Sequence, residues 1–281
     1  MAEGKTAIVT GSSTGIGFDT SLLLARNGFH TYATMRNLDK SKEIMDAARK
    51  EGLPLQVLQL DVTDDGSVKD AIDRIVNERK RIDVLVNNAG YALAGALEDL
   101  SMDEIKAQFE TNLFGAIRTM KAVLPTMREQ RGGGTIVNVS SVGGRIGFPF
   151  IPAYHGTKFA LEGISESMRY ETEPFGIKIV VIEPGGVKSN FIKNVKVGQK
   201  AAESSSSYAP MAQTIQKSWD HMIDKGTPPE EVAKVVLKAV TSDNPDLRYT
   251  VGDDARQIID ARKQMSELEF EGLVKQQFLA Q

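Results

Sequence analysis

This 281-residue chain predicts a doubly wound α/β fold, with a parallel sheet of about seven strands and helices on both faces. Three observations predict it. Short apolar runs alternate with stretches of helical periodicity, which is the pattern of repeated strand–helix–strand units. The first run, from Thr6, feeds a glycine-rich turn through Gly11, Gly15 and Gly17 that opens onto a helix carrying Leu22, Leu23, Leu24 and Ala25. Polar residues then gather where later runs end, as in Asn87-Asn88-Ala89-Gly90, and the carboxyl ends of parallel strands face the ligand crevice of such a sheet.

Each element follows in order. Phe29 to Asn37 is the second strand, and Leu53 to Asp64 is the third, ending near Asp61. An amphipathic helix through Ile72, Ile75 and Val76 leads to a fourth strand at Val84 to Val86. Ser101 and Glu104 have the spacing of a capping box, and the helix they open carries Phe109, Asn112, Leu113, Ile117 and Met120. Gly132 to Ser141 is the fifth strand; the next helix begins near Pro152 and is stopped by Pro174. A sixth strand within Gly176 to Asn190 ends at Pro184-Gly185-Gly186. Gln199 to Ser207 is polar and serine-rich and is expected to be mobile, and Tyr208 to Ile223 has the apolar spacing of a lid helix. A helix after Pro229, a last strand near Leu247 to Val251 and a charged amphipathic tail at about 254–281 complete one domain without repeats or linkers.

Composition narrows the function. Lys plus Arg number 34 against 37 Asp plus Glu, without blocks of like charge, so no electrostatic footprint for nucleic acid or an anionic membrane is expected. There is no cysteine, and the three histidines (His30, His155, His221) are scattered, which argues against disulfides, thiol nucleophiles and a metal site. The first apolar run has no basic flank and no stretch reaches about 18 apolar residues, so a small-molecule partner and a cytoplasmic location are expected.

The glycine turn between a strand and a helix suits a dinucleotide pyrophosphate, because glycines let the backbone approach and the helix start offers free N–H groups. A plain turn is the competing reading. The residue about 20 positions further on sorts ribose hydroxyl from ribose phosphate. Met35 and Arg36 stand there, with no acid before Asp39, and Arg36 with Ser12 or Ser13 would favour the 2′-phosphate of NADP. Asn87 and Asn88 read either as a turn or as ligand-facing groups. Asn112 reads either as a buried amide satisfied by backbone or as a residue that holds a water or a bend. Tyr154 and Lys158, four apart on one helix, set an ammonium beside a phenol, and a fixed positive charge favours the phenolate.

In order, Thr10-Gly11-x-x-x-Gly15-x-Gly17, Asp61, Asn87-Asn88-Ala89-Gly90, Asn112, Ser141, Tyr154-x-x-x-Lys158 and Pro184-Gly185 resemble the short-chain dehydrogenases/reductases from residue 5 to about 190. Tyr32 through Arg36 and Tyr154 through Gly163 are most similar to the branch containing hydroxysteroid and retinol dehydrogenases. Ser189 stands where the family usually has Thr, and the stretch at about 190–225 matches nothing in it. The resemblance implies a Rossmann-type domain whose Tyr154 exchanges a proton with a carbonyl or alcohol oxygen while hydride passes to or from a nicotinamide. It implies that Ser141 bonds the same oxygen, that Lys158 binds the nicotinamide ribose and lowers the Tyr154 pKa, and that Asn112 holds a relay water. Gly11, Ser12, Ser13, Gly15, Ile16, Gly17, Arg36, Asp61, Val62, Asn88, Ala89, Gly90, Pro184, Gly185, Val187 and Ser189 would bind the cofactor, NADP(H) preferred and NAD(H) possible.

An apolar ketone, aldehyde or alcohol is the expected substrate, from Phe148, Phe150, Phe191, Met211, Ile215, Trp219 and Met222 beside the catalytic stretch or in the lid. A homodimer or homotetramer is expected through the helices of Ser101 to Gln130 and Pro152 to Glu173. Two rival functions stand beside this one: a dinucleotide-binding sensor or scaffold without turnover, which would not need Tyr154 and Lys158 together, and a sugar epimerase, whose glycine spacing differs.

Overall fold

The computed structural model describes residues 4–130, 132–189 and 195–279, with backbone only at 220–224. Seven parallel strands form the main sheet: β1 (Thr6–Val9), β2 (His30–Met35), β3 (Leu55–Gln59), β4 (Val84–Asn87), β6 (Gly134–Val139), β7 (Ile177–Pro184) and β9 (Arg248–Val251), in the order β3-β2-β1-β4-β6-β7-β9. The chain winds outward from β1 to β3, then returns to the other side of β1 at β4. That reversal leaves a crevice between the carboxyl ends of β1 and β4. Two short strands, β5 (Leu93–Ala94) and β8 (Lys196–Val197), pair in a separate parallel ribbon that sequence periodicity did not reveal, since two-residue strands carry no period.

Alternation along the strands divides the core. Ile8, Tyr32, Leu58, Leu85, Ile136 and Ile179 face α3 (Asp65–Arg79), α5 (Gly115–Glu129) and α6 (Pro152–Thr172). Ala7, Val9, Val84, Val86, Val137 and Val180 face α1 (Gly15–Arg26) and α8 (Pro229–Thr241). Such burial on both faces explains why the strands read as continuous apolar runs. The capping box at Ser101 starts α4 (Met102–Phe109), as its spacing predicts.

Two expectations change. Gln199 to Ser207 is pinned rather than loose, because Ser206 is buried with its hydroxyl donating to Asp99 at 2.5 Å and Lys200 pairs with Asp99 at 3.1 Å. The tail is two helices, α9 (Asp253–Gln264) and α10 (Glu267–Phe278), separated by a second capping box at Ser266 and Glu269. They pack Ile259, Phe270 and Phe278 toward the loop that follows β6, where Phe148 lies 5.1 Å from the Phe278 ring. Among the described residues no helix is long and apolar enough to cross a membrane.

The paired asparagines take different tasks. Asn87 points into the core, where its amide donates to Asn138 at 2.9 Å and its oxygen accepts from Thr119 at 2.6 Å; Asn138 in turn donates to Ser165 at 2.9 Å. This buried ladder ties β4 and β6 to α5 and α6. Asn138→Ala strands the Asn87 amide and removes a donor from Ser165, at about 1–3 kcal/mol for each buried group left unpaired. Chemical denaturation is expected to show a loss of about 2–4 kcal/mol with an unchanged m-value.

Candidate active site

The site begins where the glycine turn crosses the end of β4. Gly11 has φ +70°, and a Cβ there would lie 2.8 Å from the Ala89 Cα. A Cβ on Gly17 would meet both the Asn88 amide nitrogen and the Gly11 carbonyl at 2.5 Å. Asn88 explains that crowding: its Nδ2 donates to the carbonyls of Thr10 (3.0 Å) and Gly11 (3.1 Å), while Thr10 Oγ1 accepts from the backbone N–H groups of Asn88 and Ala89. The first turn of α1 contains no acid, so its N–H groups and partial positive charge are available to an anion. Ser12 departs from expectation. Its side chain is buried, donates to the Val9 carbonyl at 2.9 Å and accepts from Ser21, so its hydroxyl holds the turn and cannot reach a phosphate.

A cavity of about 800 Å³ runs from this turn across the strand ends. Of the expected site residues, Gly11, Ser13, Gly15, Ile16, Arg36, Asp61, Val62, Asn88, Ala89, Gly90, Ser141, Tyr154, Lys158, Pro184, Gly185, Val187 and Ser189 line it. Ser12, Gly17 and Asn112 stand behind the wall. At the far end Asp61 is fixed by the Thr63 N–H and hydroxyl, and Arg36 Nε lies 4.0 Å from Asp61 while remaining largely exposed. Lys40, which the sequence reading missed, joins Arg36 there. It sits on the 3₁₀ turn Leu38–Ser41, capped by the Asn37 side chain, and its four-residue distance from Arg36 was the available signal. The long cavity, the glycines that admit a backbone-to-phosphate approach, the uncompensated helix start and the paired cations fit a nicotinamide dinucleotide.

At the near end β6 delivers Ser141 and α6 delivers Tyr154 and Lys158, with the Lys158 Nζ 5.6 Å from the centre of the Tyr154 ring. Ser141 Oγ accepts from the Gly143 N–H at 3.0 Å, which aims the side chain. The Lys158 ammonium is buried and donates to the Val139 carbonyl at 2.7 Å. Burial pushes its pKa down to about 8, against the pull of the Glu162 carboxylate. Burial likewise pushes the Tyr154 phenol up to about 12, with the Ser141 hydroxyl pulling the other way. Desolvation therefore dominates at Tyr154 in this geometry, and Ser141 is the group that pulls the phenol the other way.

Asn112 is also redirected. It lies in a π-helical turn, Glu110–Phe114, where its Oδ1 accepts from the Tyr91 N–H (3.1 Å) and its Nδ2 donates to the Tyr91 carbonyl (2.8 Å) and to Thr157 (3.3 Å). The side chain thus locks a bend beside the site, with both Nδ2 hydrogens and one Oδ1 lone pair engaged. His155 was missed as well. The Phe148 N–H donates to its Nε2 at 2.8 Å, so the proton sits on Nδ1 and bonds the Gly143 carbonyl at 2.8 Å. That pins the loop between Ser141 and Tyr154, and burial holds the imidazole below its usual pKa. In the same loop Phe150 adopts φ +68°, a strained value for a bulky residue.

Only Phe148 and Trp219 of the seven apolar residues expected at the substrate line the cavity. Ile215 is core, Met211 is partly exposed, Phe150 packs on Tyr208, and Phe191 and the Met222 side chain lie outside the described residues. Val142, Ile151, Val195 and Val197 supply the rest of the apolar wall, with Lys196 lying 4.5 Å over the Tyr91 ring at its edge.

The sequence model of the family described as short chain dehydrogenase matches residues 5–200. Retinol dehydrogenase 8 of Bos taurus is 38% identical over 260 residues, covering 88% of this chain and 82% of its own. The 17-beta-hydroxysteroid dehydrogenase type 1 of Homo sapiens is 37% identical, covering 86% of this chain and 76% of its own. Among solved structures, a short-chain dehydrogenase from Streptomyces avermitilis superposes with a TM-score of 0.82 at 30% identity, covering 96% of this chain and 97% of its own. The glycine turn crossed by Asn88 and the Ser141, Tyr154 and Lys158 cluster are thus set in a chain that belongs to the short-chain dehydrogenase/reductase family, oxidoreductases that move hydride between a nicotinamide dinucleotide and a small molecule, and resembles its hydroxysteroid and retinol dehydrogenase branch.

Proposed function

We propose that the protein interconverts an apolar ketone or aldehyde and its alcohol with NADP(H), and that Tyr154 exchanges the proton with the substrate oxygen. The observation that carries this reading is the convergence of Tyr154, Ser141 and Lys158 at one end of a single cavity whose other end is the glycine turn with Arg36 and Lys40. The bound nicotinamide supplies or accepts the hydride. The chain's own groups do the rest: Tyr154, protonated at neutral pH, donates to the carbonyl oxygen; Ser141 bonds that oxygen; and Lys158 binds the ribose. Asn112 holds the π turn through its amide and, in this reading, a relay water beside Lys158. The apolar wall of Val142, Phe148, Ile151, Val197 and Trp219 supports an apolar substrate, as do relatives named for a hydroxysteroid and for retinol. Val195, Lys196, Val197, Gln216 and Trp219, the last two on α7 (Ala209–Asp224), line the cavity and support the lid expected at about 190–225. Exposed Phe114, Phe159 and Tyr170 on the helices that flank the sheet support a homodimer or homotetramer.

Tyr154→Phe is expected to lower kcat by about 10²- to 10⁴-fold, the usual loss for a general acid, while cofactor affinity stays within a few-fold. Stopped assays of reduced-cofactor absorbance across alkyl ketones and aldehydes check this; more than a tenth of wild-type kcat in the variant excludes Tyr154 as the acid. The cofactor preference rests on Arg36 and Lys40. A charge-assisted hydrogen bond contributes roughly 1.5–3 kcal/mol, so Arg36→Ala is expected to lower the preference for NADPH over NADH by about ten- to a hundredfold. Lys40→Ala is expected to lower it further. Fluorescence titration of both reduced cofactors reads the ratio, and an unchanged ratio in both variants shows that neither cation meets the phosphate.

A further inference from the structure

Behind the wall that carries Ser141 lies a charged cluster that the reaction as derived leaves unused. Glu162 follows Lys158 by one turn on α6 and is only 4% exposed. One of its oxygens pairs with Arg248 of β9 at 2.9 Å. The other, Oε1, is buried and has no hydrogen-bond partner, and the same holds for the Ser140 hydroxyl, one residue before Ser141. Gly144 marks where they converge: a Cβ there would lie 2.7 Å from Ser140 Oγ, 3.0 Å from Glu162 Cγ and 3.1 Å from the Lys158 carbonyl. The missing side chain leaves room for the carboxylate between the serine strand and the catalytic helix.

The charges facing Glu162 can be counted. From β7 comes Glu183, 1% exposed, which accepts from Thr250 at 2.9 Å and pairs with Arg145 at 2.9 Å and with Arg248 at 3.6 Å. From α6 itself come Lys158 and Glu166, the latter exposed and 2.7 Å from Arg248. Two arginines therefore face three carboxylates, and Lys158, one helical turn before Glu162, is the further cation that the Glu162 charge acts on. An isolated buried ammonium is costly, and Lys158 has one carbonyl as its hydrogen-bond acceptor. Glu162 is the charge that draws the Lys158 pKa back up against burial. Burial pushes the Glu162 carboxyl up, and Glu183 adds to it, while the nearby Ser140 hydroxyl and the Arg248 guanidinium draw it back toward the charged form.

We propose that Glu162 is a positioning residue for the reaction: its buried carboxylate, set between Ser140 and Arg248, keeps the Lys158 ammonium charged beside Tyr154. The consequence for turnover rests on the role given to Lys158 above, whereas the charge state of Lys158 is read independently of it.

The test is an NMR pH titration of the Lys158 side chain in ¹³C,¹⁵N-lysine-labelled full-length protein, assigned by comparison with Lys158→Met. Wild type is expected to titrate near 8. In Glu162→Gln the midpoint is expected to fall by about one unit, the low end of the effect of a nearby opposite charge. Glu162→Asp, which retains the charge, is expected to restore most of the difference, and Glu166→Gln is expected to leave the midpoint in place. Ser140→Ala, which removes one oxygen and spares the ion pair with Arg248, is expected to shift it in the same direction by less, and serves if Glu162→Gln does not fold. An unmoved midpoint in folded Glu162→Gln, or in Ser140→Ala where the glutamine variant is unfolded, overturns the proposal, as does a midpoint that falls equally in Glu166→Gln. NADPH affinity measured by fluorescence over the same pH range is expected to weaken as Lys158 loses its proton, at lower pH in Glu162→Gln. If the NMR midpoint moves while wild-type NADPH affinity and kcat are flat through it, the proposal stands and the role given to Lys158 falls.

Discussion

Everything in the site hangs from one crowded crossing, where the backbone of the glycine turn passes over the end of β4. The Thr10 hydroxyl takes the first two N–H groups beyond Asn87, and the Asn88 amide returns two hydrogen bonds to the turn. That exchange fixes two strand ends that are adjacent in the sheet but 78 residues apart in the chain. It is also why the glycines cannot vary there: with Asn88 in place, a methyl group on Gly17 has no room. The crossing aims the start of α1 into the cavity and leaves Ala89 and Gly90 to shape its floor. Gly90 in turn lies where a side chain would press on Asn112 at 3.1 Å, so the same segment that closes the glycine turn also seats the π turn behind the catalytic helix.

Much of this was legible because the residues involved are chemically exclusive. Alternating buried strands read as apolar runs, capping boxes have fixed spacing, and a positive φ asks for glycine. What was not legible depends on direction rather than identity. Ser12 and Ser13 are indistinguishable in sequence, yet one hydroxyl turns into the core and the other residue lines the cavity. Asn87 and Asn88 divide in the same way, because successive residues at a strand end point to opposite sides. Asn112 reads in sequence either as an amide satisfied by backbone or as a residue that holds a water or a bend, and backbone satisfaction and the bend occur together, since the π turn creates the geometry in which the Tyr91 backbone can satisfy it. Lys40 escaped notice because it lies on no motif, and His155 because it fills an unspecified position inside Tyr154-x-x-x-Lys158. Lys40 reaches the cavity through a 3₁₀ turn, and His155 matters only through the loop that folds back over it.

The loop between Ser141 and Tyr154 shows how the tail of the chain enters the site. Its conformation is held from below by His155 and from outside by Phe278 and the cluster around Val142 and Ile146, to which α9 and α10 contribute. Phe148 is the shared element: it lines the cavity, packs on Phe278 and donates its N–H to His155. The charged C-terminal segment therefore helps set the shape of the cavity wall even though none of its described residues lines the cavity.

Burial acts oppositely on Tyr154 and Lys158, the two ionisable groups that α6 brings to the cavity, and the outcome sets their resting charge. An exposed phenol and an exposed ammonium lose their protons at nearly the same pH. Here desolvation raises Tyr154 and lowers Lys158, so the lysine gives up its proton long before the tyrosine does. Below about 8 the pair rests as a neutral phenol beside a charged ammonium, which is the state that donates a proton to a carbonyl oxygen. In the proposed reaction, oxidising an alcohol requires Tyr154 as a base, which costs more in this dry setting unless positive charge is close by. In the proposed reaction, retaining the charge on Lys158 is therefore the condition on which both directions depend, and Glu162, one helical turn away, is the carboxylate we propose to meet it from behind rather than from inside the cavity.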